Sequence, residues 1–167
     1  MDVKLEQLFT DFVRDNKKQL YLFAYSYVKN EQDALDIIQD SIQKAWLSLH
    51  TLEKKAQMKS WLFQIIARTA IDFLRKMKRI QVMDDEKLKY LSPQQQDTYE
   101  DVDLENAMDH LPLPLREVII LRYFEDLKLE DVAIILNIPL STAKSRLYKA
   151  LKLLKIELSD EGSKEYG

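Results

Sequence analysis

From Lys59 to Ile80 the chain reads KSWLFQIIARTAIDFLRKMKRI. Leu62, Ile66, Ala70, Phe73 and Met77 step by three or four, which sets them on one stripe of an α-helix and on no single face of a strand. Arg68, Asp72, Arg75, Lys76 and Arg79 form the opposite stripe. The first stripe has to be closed by other helices, while the second faces water or a charged partner. The stretch holds six basic residues and one acid, Asp72, in a chain whose net charge is −3. Asp72 lies within one turn of Arg68, Arg75 and Lys76, where each ion pair contributes only about 0.2–0.5 kcal/mol. A membrane surface, a partner protein and a nucleic acid are all open as targets of this helix.

The rest of the chain suits long helices. It has only two Gly and four Pro, too few for the turns of a sandwich or barrel. With 46% hydrophobic and 32% charged residues it is a globular chain. There is no cysteine, hence no disulfide, thiolate metal site or thiol catalysis, in keeping with a reducing cytoplasm. The start, MDVKLEQLF, has neither the basic residues nor the apolar run of a signal peptide. No apolar run approaches the ~20 residues that span a bilayer, so direct membrane insertion is not expected.

Charge is segregated along the chain. Lys144–Lys155 has five basic residues and no acid, whereas Asp84–Asp109 has nine acids and two bases. Two basic helices therefore flank an acidic segment.

A first helix is expected from about Leu5 to Val28, with Leu5, Leu8, Phe12, Leu20, Phe23, Ala24 and Tyr27 inward. Asn30 is the expected N-cap of a second, running to about Leu49, with Asp33 in its dipole-favoured first turn. Its inner face is read as Ala34, Ile38, Ile42, Ala45 and Leu49. HTLEKKAQMK is a polar, basic connection, and Ser60 is the expected cap of the third helix. Between Gln81 and Asp101 periodicity fades into a polar linker containing SPQQQDTYED. Two small helical domains of about 80 and about 60 residues follow, each with a modest core.

The second half opens with a helix at Leu104–Leu111. Pro114 suits the first turn of the next, which runs to about Tyr123. A short helix, Lys128–Leu136, a turn, Asn137-Ile138-Pro139, and a long helix, Leu140–Leu158, then give the layout of a helix-turn-helix at about 128–148. Val132, Ala133 and Leu136 would face inward, with Leu147, Ala150 and Leu151 anchoring the long helix. Ser141, Thr142, Lys144, Ser145, Arg146 and Lys149 are left outward. Hydroxyls and Arg can read base edges, and Lys can neutralise phosphate. An ordinary helical hairpin with a solvated basic face fits the same pattern.

LPLPLREVIILRYFEDLKLEDVAIILNIPLSTAKSRLYKALKLL resembles region 4 of the sigma-70 family, the part that reads the −35 promoter element. DALDIIQDSIQKAW followed by WLFQIIARTAIDFLRKMKR resembles region 2 of the small extracytoplasmic-function (ECF, group IV) sigma factors. The resemblance covers nearly the whole chain, in the family's order. It implies an all-α fold of two domains: region 2 at 1–80, an acidic linker at 81–103, region 4 at 104–160 and a tail at 161–167.

The resemblance also implies partners and contacts. The family's DAxD helix docks on the β′ clamp helices of core RNA polymerase. Carried over, the docking set is Asp33, Leu35, Asp36, Gln39, Asp40, Gln43, Lys44 and Trp46; a solvated polar face is the plainer alternative. The third helix and the loop before it would hold the −10 element as a single strand, through Lys54, Lys55, Lys59, Gln64, Arg68, Thr69, Arg75 and Lys76, with Trp61 read as core. Region 4 also implies the polymerase β flap as a partner. An anti-sigma factor, often membrane-anchored in the family, is a further implied partner.

Four positions depart from the family's pattern: Leu35 replaces an acid, Arg68 an Asn, Asn137 a Gly and Ala143 a Val. The linker acids Asp97, Glu100, Asp101 and Asp103 could stand in for nucleic-acid charge in polymerase channels or shield the basic helices. His50 and His110 are isolated in sequence, with no nucleophile–base pair and no phosphate loop, so neither a catalytic centre nor a cofactor is expected. The reading is a cytoplasmic ECF-type sigma factor. A stand-alone helix-turn-helix regulator and a membrane-surface adaptor are the alternatives.

Overall fold

The computed structural model describes the backbone of residues 3–83 and 103–166. The linker acids Asp97, Glu100 and Asp101 and the side chain of Asp103 lie outside the described residues. Among the described residues all regular structure is helical. The chain divides into two compact units, one holding residues 3–83 and the other holding 103–133 and 138–166.

The N-terminal unit has four helices: α1 (Val3–Asp15), α2 (Lys17–Val28), α3 (Glu31–Leu47) and α4 (Met58–Met83). The single first helix read from the sequence is in fact two. Asn16 leaves helical geometry at φ −118°, ψ 20°, and its Nδ2 donates to the Phe12 carbonyl at 2.9 Å. A side-chain amide that bonds its own backbone competes with the helix, and no Pro or Gly marks the break. Lys29 ends α2 in the left-handed region at φ 54°. Asn30 then caps α3 as expected, its Oδ1 accepting from the Asp33 N–H at 2.8 Å.

α2 packs on α3 and α4, and α3 packs on α4. Phe23, Phe63, Leu20, Ile37, Leu49, Leu62 and Ile66 fill the core, each under 2% exposed. Phe23 and Phe63 meet with ring centroids 5.1 Å apart. Phe9 lies between the two tryptophans, 6.1 Å from Trp46 and 6.3 Å from Trp61, which places the Trp61 ring against the core.

Two stripes sit one position off the expectation. In α1 the buried residues are Leu5 and Phe9, with Leu8 exposed. In α3 they are Ala34, Ile37, Ser41 and Ala45, with Ile38 and Ile42 only half-buried. An apolar stripe is wider than the contact line, so neighbouring helices choose its centre. α4 begins at Met58, two residues before the expected cap Ser60, because a 3-10 turn at Lys55–Gln57 leads straight into it. Its inward stripe fades after Phe73, and Met77, Ile80 and Val82 are exposed.

The C-terminal unit has α5 (Asp103–His110), α6 (Leu113–Ile119), α7 (Leu129–Leu136) and α8 (Leu140–Tyr166). Pro114 sits in the first turn of α6. The expected end of that helix near Tyr123 is a widened π turn, Ile120–Phe124, in which the Glu125 N–H donates to the Ile120 carbonyl at 3.0 Å. α6 and α5 both pack on α8. Asn137 takes the left-handed turn conformation at φ 56°. The Ile138 N–H closes that helix end on the Ala133 carbonyl at 3.0 Å. Val132 and Ala133 are buried as expected. On α8 the buried line is Ala143, Ala150 and Leu154, and Leu151, expected as an anchor, is 37% exposed. The helix runs to Tyr166, past the expected end at Leu158 and through the expected tail.

Candidate polymerase and nucleic-acid interfaces

Three side-chain sets are positioned by α3, α4 and α8. On α3 the buried line of Ala34, Ile37, Ser41 and Ala45 forces the other half of the helix outward. That half carries Leu35, Asp36, Gln39, Asp40, Gln43, Lys44 and Trp46, all exposed, with Asp33 half-buried at its start. By helical period Leu35, Gln39 and Trp46 share one margin of this face, and Lys44 lies on the other, nearest α4. Leu35 is 47% and Trp46 39% exposed, and Leu47 beside them is 67% exposed. Burial raises the Asp33 carboxyl above the ordinary aspartate value of 3.8, and the neighbouring Asp36 charge adds to the shift. Asp40 and Lys44 pair along the helix at 3.3 Å.

α4 separates its set into three places. Gln64, Arg68 and Arg75 fall on one outer stripe, at successive i+4 and i+7 positions, with Lys76 beside them. Asp72 approaches Arg75 at 4.0 Å, so it restrains one guanidinium loosely. Lys54 and Lys55 are exposed on the connection before the helix, and Lys59 is half-buried in its first turn. Thr69 departs from the expected set. It is 5% exposed, between α4 and α3. Its hydroxyl donates to the Ile65 carbonyl at 2.8 Å and accepts from Lys44 Nζ at 3.3 Å. A hydroxyl has one proton to donate, and this one is committed to the Ile65 carbonyl.

α8 keeps its set together. Ser141, Thr142, Ser145, Arg146 and Lys149 line one shallow concavity of about 550 Å³, with Leu115 of α6 as an apolar wall. Lys144, exposed, completes the first two turns. The cause is local: Asn137 and Pro139 end α7 and start α8, and buried Ala143 and Ala150 fix which side of α8 turns inward. The sequence reading overlooked Tyr148. It is 76% exposed, one turn beyond Lys144 and one before Lys152. The available signal was a large aromatic off the apolar stripe and inside a basic helix.

A helical unit with an anchored polar face and a helix-turn-helix unit with a basic first turn, in that order, define a class. The description "Sigma-70 region 2" matches residues 12–80, and "Sigma-70, region 4" matches residues 101–154. The chain belongs to the sigma-70 family of RNA polymerase sigma factors, in its ECF branch.

It is similar to RNA polymerase sigma factor SigV of Bacillus subtilis, 52% identical over 149 residues, covering 89% of this chain and 90% of that protein. It is also similar to the ECF sigma factor SigW of the same organism, 26% identical over 93% of this chain and 91% of that one. Among solved structures it resembles the sigma factor RpoE of Bartonella quintana in complex with the anti-sigma factor NepR. That match has a TM-score of 0.69 and 26% identity, and covers 89% of this chain and 97% of the other. Among the described residues no helix is long and apolar enough to cross a membrane.

Proposed function

We propose that this chain works in the cytoplasm as a promoter-addressing subunit of RNA polymerase. In this reading residues 1–80 hold core polymerase and the −10 element, and residues 104–160 hold the −35 element. The α3 face from Asp36 to Lys44 docks on the β′ clamp helices. Leu35 and Trp46 supply the desolvated apolar anchor that a specific protein interface needs, and the carboxylates supply register and charge complementarity. The outer stripe of α4, with Lys54, Lys55 and Lys59 before it, tracks the single-stranded −10 backbone. Such binding needs a cationic groove and planar or apolar surfaces for bases.

The α8 concavity takes the −35 duplex in its major groove. Thr142, Ser145 and Arg146 are aimed at base edges, and Lys144 and Lys149 at phosphates. Tyr148 offers a planar surface next to them. Polymerase supplies the chemistry, and the β flap is the proposed partner of the C-terminal unit. As the relative from Bartonella quintana is seen with an anti-sigma factor, a protein of that kind is the proposed restraint on this chain.

One observation carries the reading. An acidic face with exposed Leu35 and Trp46, and a basic helix-turn-helix concavity, occur in one chain of the sigma-70 family. A stand-alone regulator has no use for the first. The test separates the faces. Asp36→Lys with Asp40→Lys should cut capture of Bacillus subtilis core polymerase at least tenfold. Lys144→Ala with Lys149→Ala should leave capture intact while weakening DNA binding. Equal capture by wild type and the α3 double variant would overturn the assignment of α3.

A further inference from the structure

A polar contact joins the α3 and α4 faces. Lys44, on the margin of the α3 face, sends its Nζ to the Asp40 carboxylate at 3.3 Å and to the Thr69 hydroxyl at 3.3 Å. Thr69 is anchored in turn by donating to the Ile65 carbonyl at 2.8 Å. The Thr69 hydroxyl is thus held as an acceptor aimed at Lys44.

A lysine ammonium has three donors. Asp40 and Thr69 take two, from two different helices. A flexible four-carbon stem held at two points has lost most of its rotamer freedom before any partner arrives. The third N–H is left for an acceptor outside the chain, and the Lys44 side chain remains 49% exposed to receive one. Asp40 alone would hold the amine less well, because an exposed i,i+4 pair contributes little and leaves the stem mobile.

We infer that Thr69 is a positioning residue for core-polymerase docking. Its buried hydroxyl presets the Lys44 ammonium on the polymerase-facing surface, and it makes no contact with the −10 strand. The inference rests on the reading of α3 as the docking face. It also reassigns a residue that the −10 helix pattern places on DNA. Preset donors raise affinity by removing an ordering cost, so the effect should appear in binding to polymerase.

The experiment titrates labelled full-length chain with Bacillus subtilis core RNA polymerase. Wild type, Thr69→Val, Thr69→Ser, Lys44→Met and the Thr69→Val/Lys44→Met pair are compared, with thermal unfolding of each. Valine keeps the volume of threonine and removes the hydroxyl. T69V should weaken core binding about three- to tenfold, the range of one ordinary hydrogen bond, because the exposed side of Lys44 is screened by water. T69S should return to within about twofold of wild type. In the K44M background T69V should add nothing, since both changes break one interaction.

Three results would overturn the inference: T69V binding core as wild type does, T69V keeping its full effect without Lys44, or T69S failing to rescue. Should T69V unfold, T69A takes its place in the same cycle under the same criteria. A wild-type chain that does not bind core at all would remove the reading of α3 itself, and the inference with it. If T69V leaves core binding unchanged but weakens holoenzyme binding to single-stranded DNA, Thr69 contacts DNA after all.

Discussion

The two basic helices, α4 and α8, look alike in sequence and are used differently by the fold. Each has an apolar stripe and a basic stripe. On α8 the expected contact residues converge: five of them line one concavity against Leu115. On α4 they disperse. Arg68 and Arg75 stay on the outer stripe, Lys54 and Lys55 sit on the preceding loop, and Thr69 turns inward to Lys44. The difference follows from what lies on the far side of each helix. α4 is packed on both α2 and α3 up to Phe73, and its buried line holds bulky Leu62, Phe63 and Ile66. α8 buries chiefly small residues, Ala143 and Ala150, and keeps its first two turns open. A site for a rigid duplex can be one concave surface. A site for a separated strand can be a track of spaced cations.

Four tests would break or sharpen this contrast. The largest effect is expected at Phe63, a fully buried residue of α4 itself. Phe63→Ala should destabilise the N-terminal unit by about 3–5 kcal/mol in urea unfolding, because it leaves a cavity in the core that orients the α4 stripe. A loss under about 1 kcal/mol would mean that α4 is not held by this core. Next, Lys144→Ala and Lys149→Ala should each lower the salt slope of duplex binding by roughly one unit, as for one phosphate apiece. An unchanged slope would remove them from the backbone contacts.

Asn30→Ala should cost about 1 kcal/mol, since it deletes the cap that starts α3; no loss in the same unfolding assay would show the cap to be dispensable. The smallest effect concerns Asp33. Its carboxyl titrates above 3.8 in the folded chain through burial and the Asp36 charge. A raised folded value means that its contribution to stability is fully present below the unfolded value and is lost as pH rises through the folded one. An NMR titration of Asp33 at or below the ordinary aspartate value would contradict this placement.

Much of this was legible in the chain because it depends on local rules. Asn30 as a cap and a turn at Asn137 depend only on residues close in the chain, and both are as expected. The existence of α4 and α8 followed from period alone. What the sequence could not place was the centre of each buried line. Phe9 rather than Leu8, Ile37 and Ser41 rather than Ile38 and Ile42, and Leu154 rather than Leu151 are chosen by neighbouring helices. Ser41 shows why: its fully buried hydroxyl has no partner, a placement no polarity pattern would select. Thr69 is the functional counterpart. By helical spacing it lies at the seam between Lys76 and the apolar stripe, and only the approach of α3 reveals that its hydroxyl is engaged inside the protein.

The most direct test of the account is transcription from genomic DNA of the source organism by core polymerase, with and without the full-length chain, followed by sequencing of RNA 5′ ends. The account predicts a discrete set of start sites that appear only when the chain is added and that share two upstream elements at constant spacing. The α3 double variant Asp36→Lys/Asp40→Lys should abolish them. An unchanged pattern of start sites with and without the chain would contradict it.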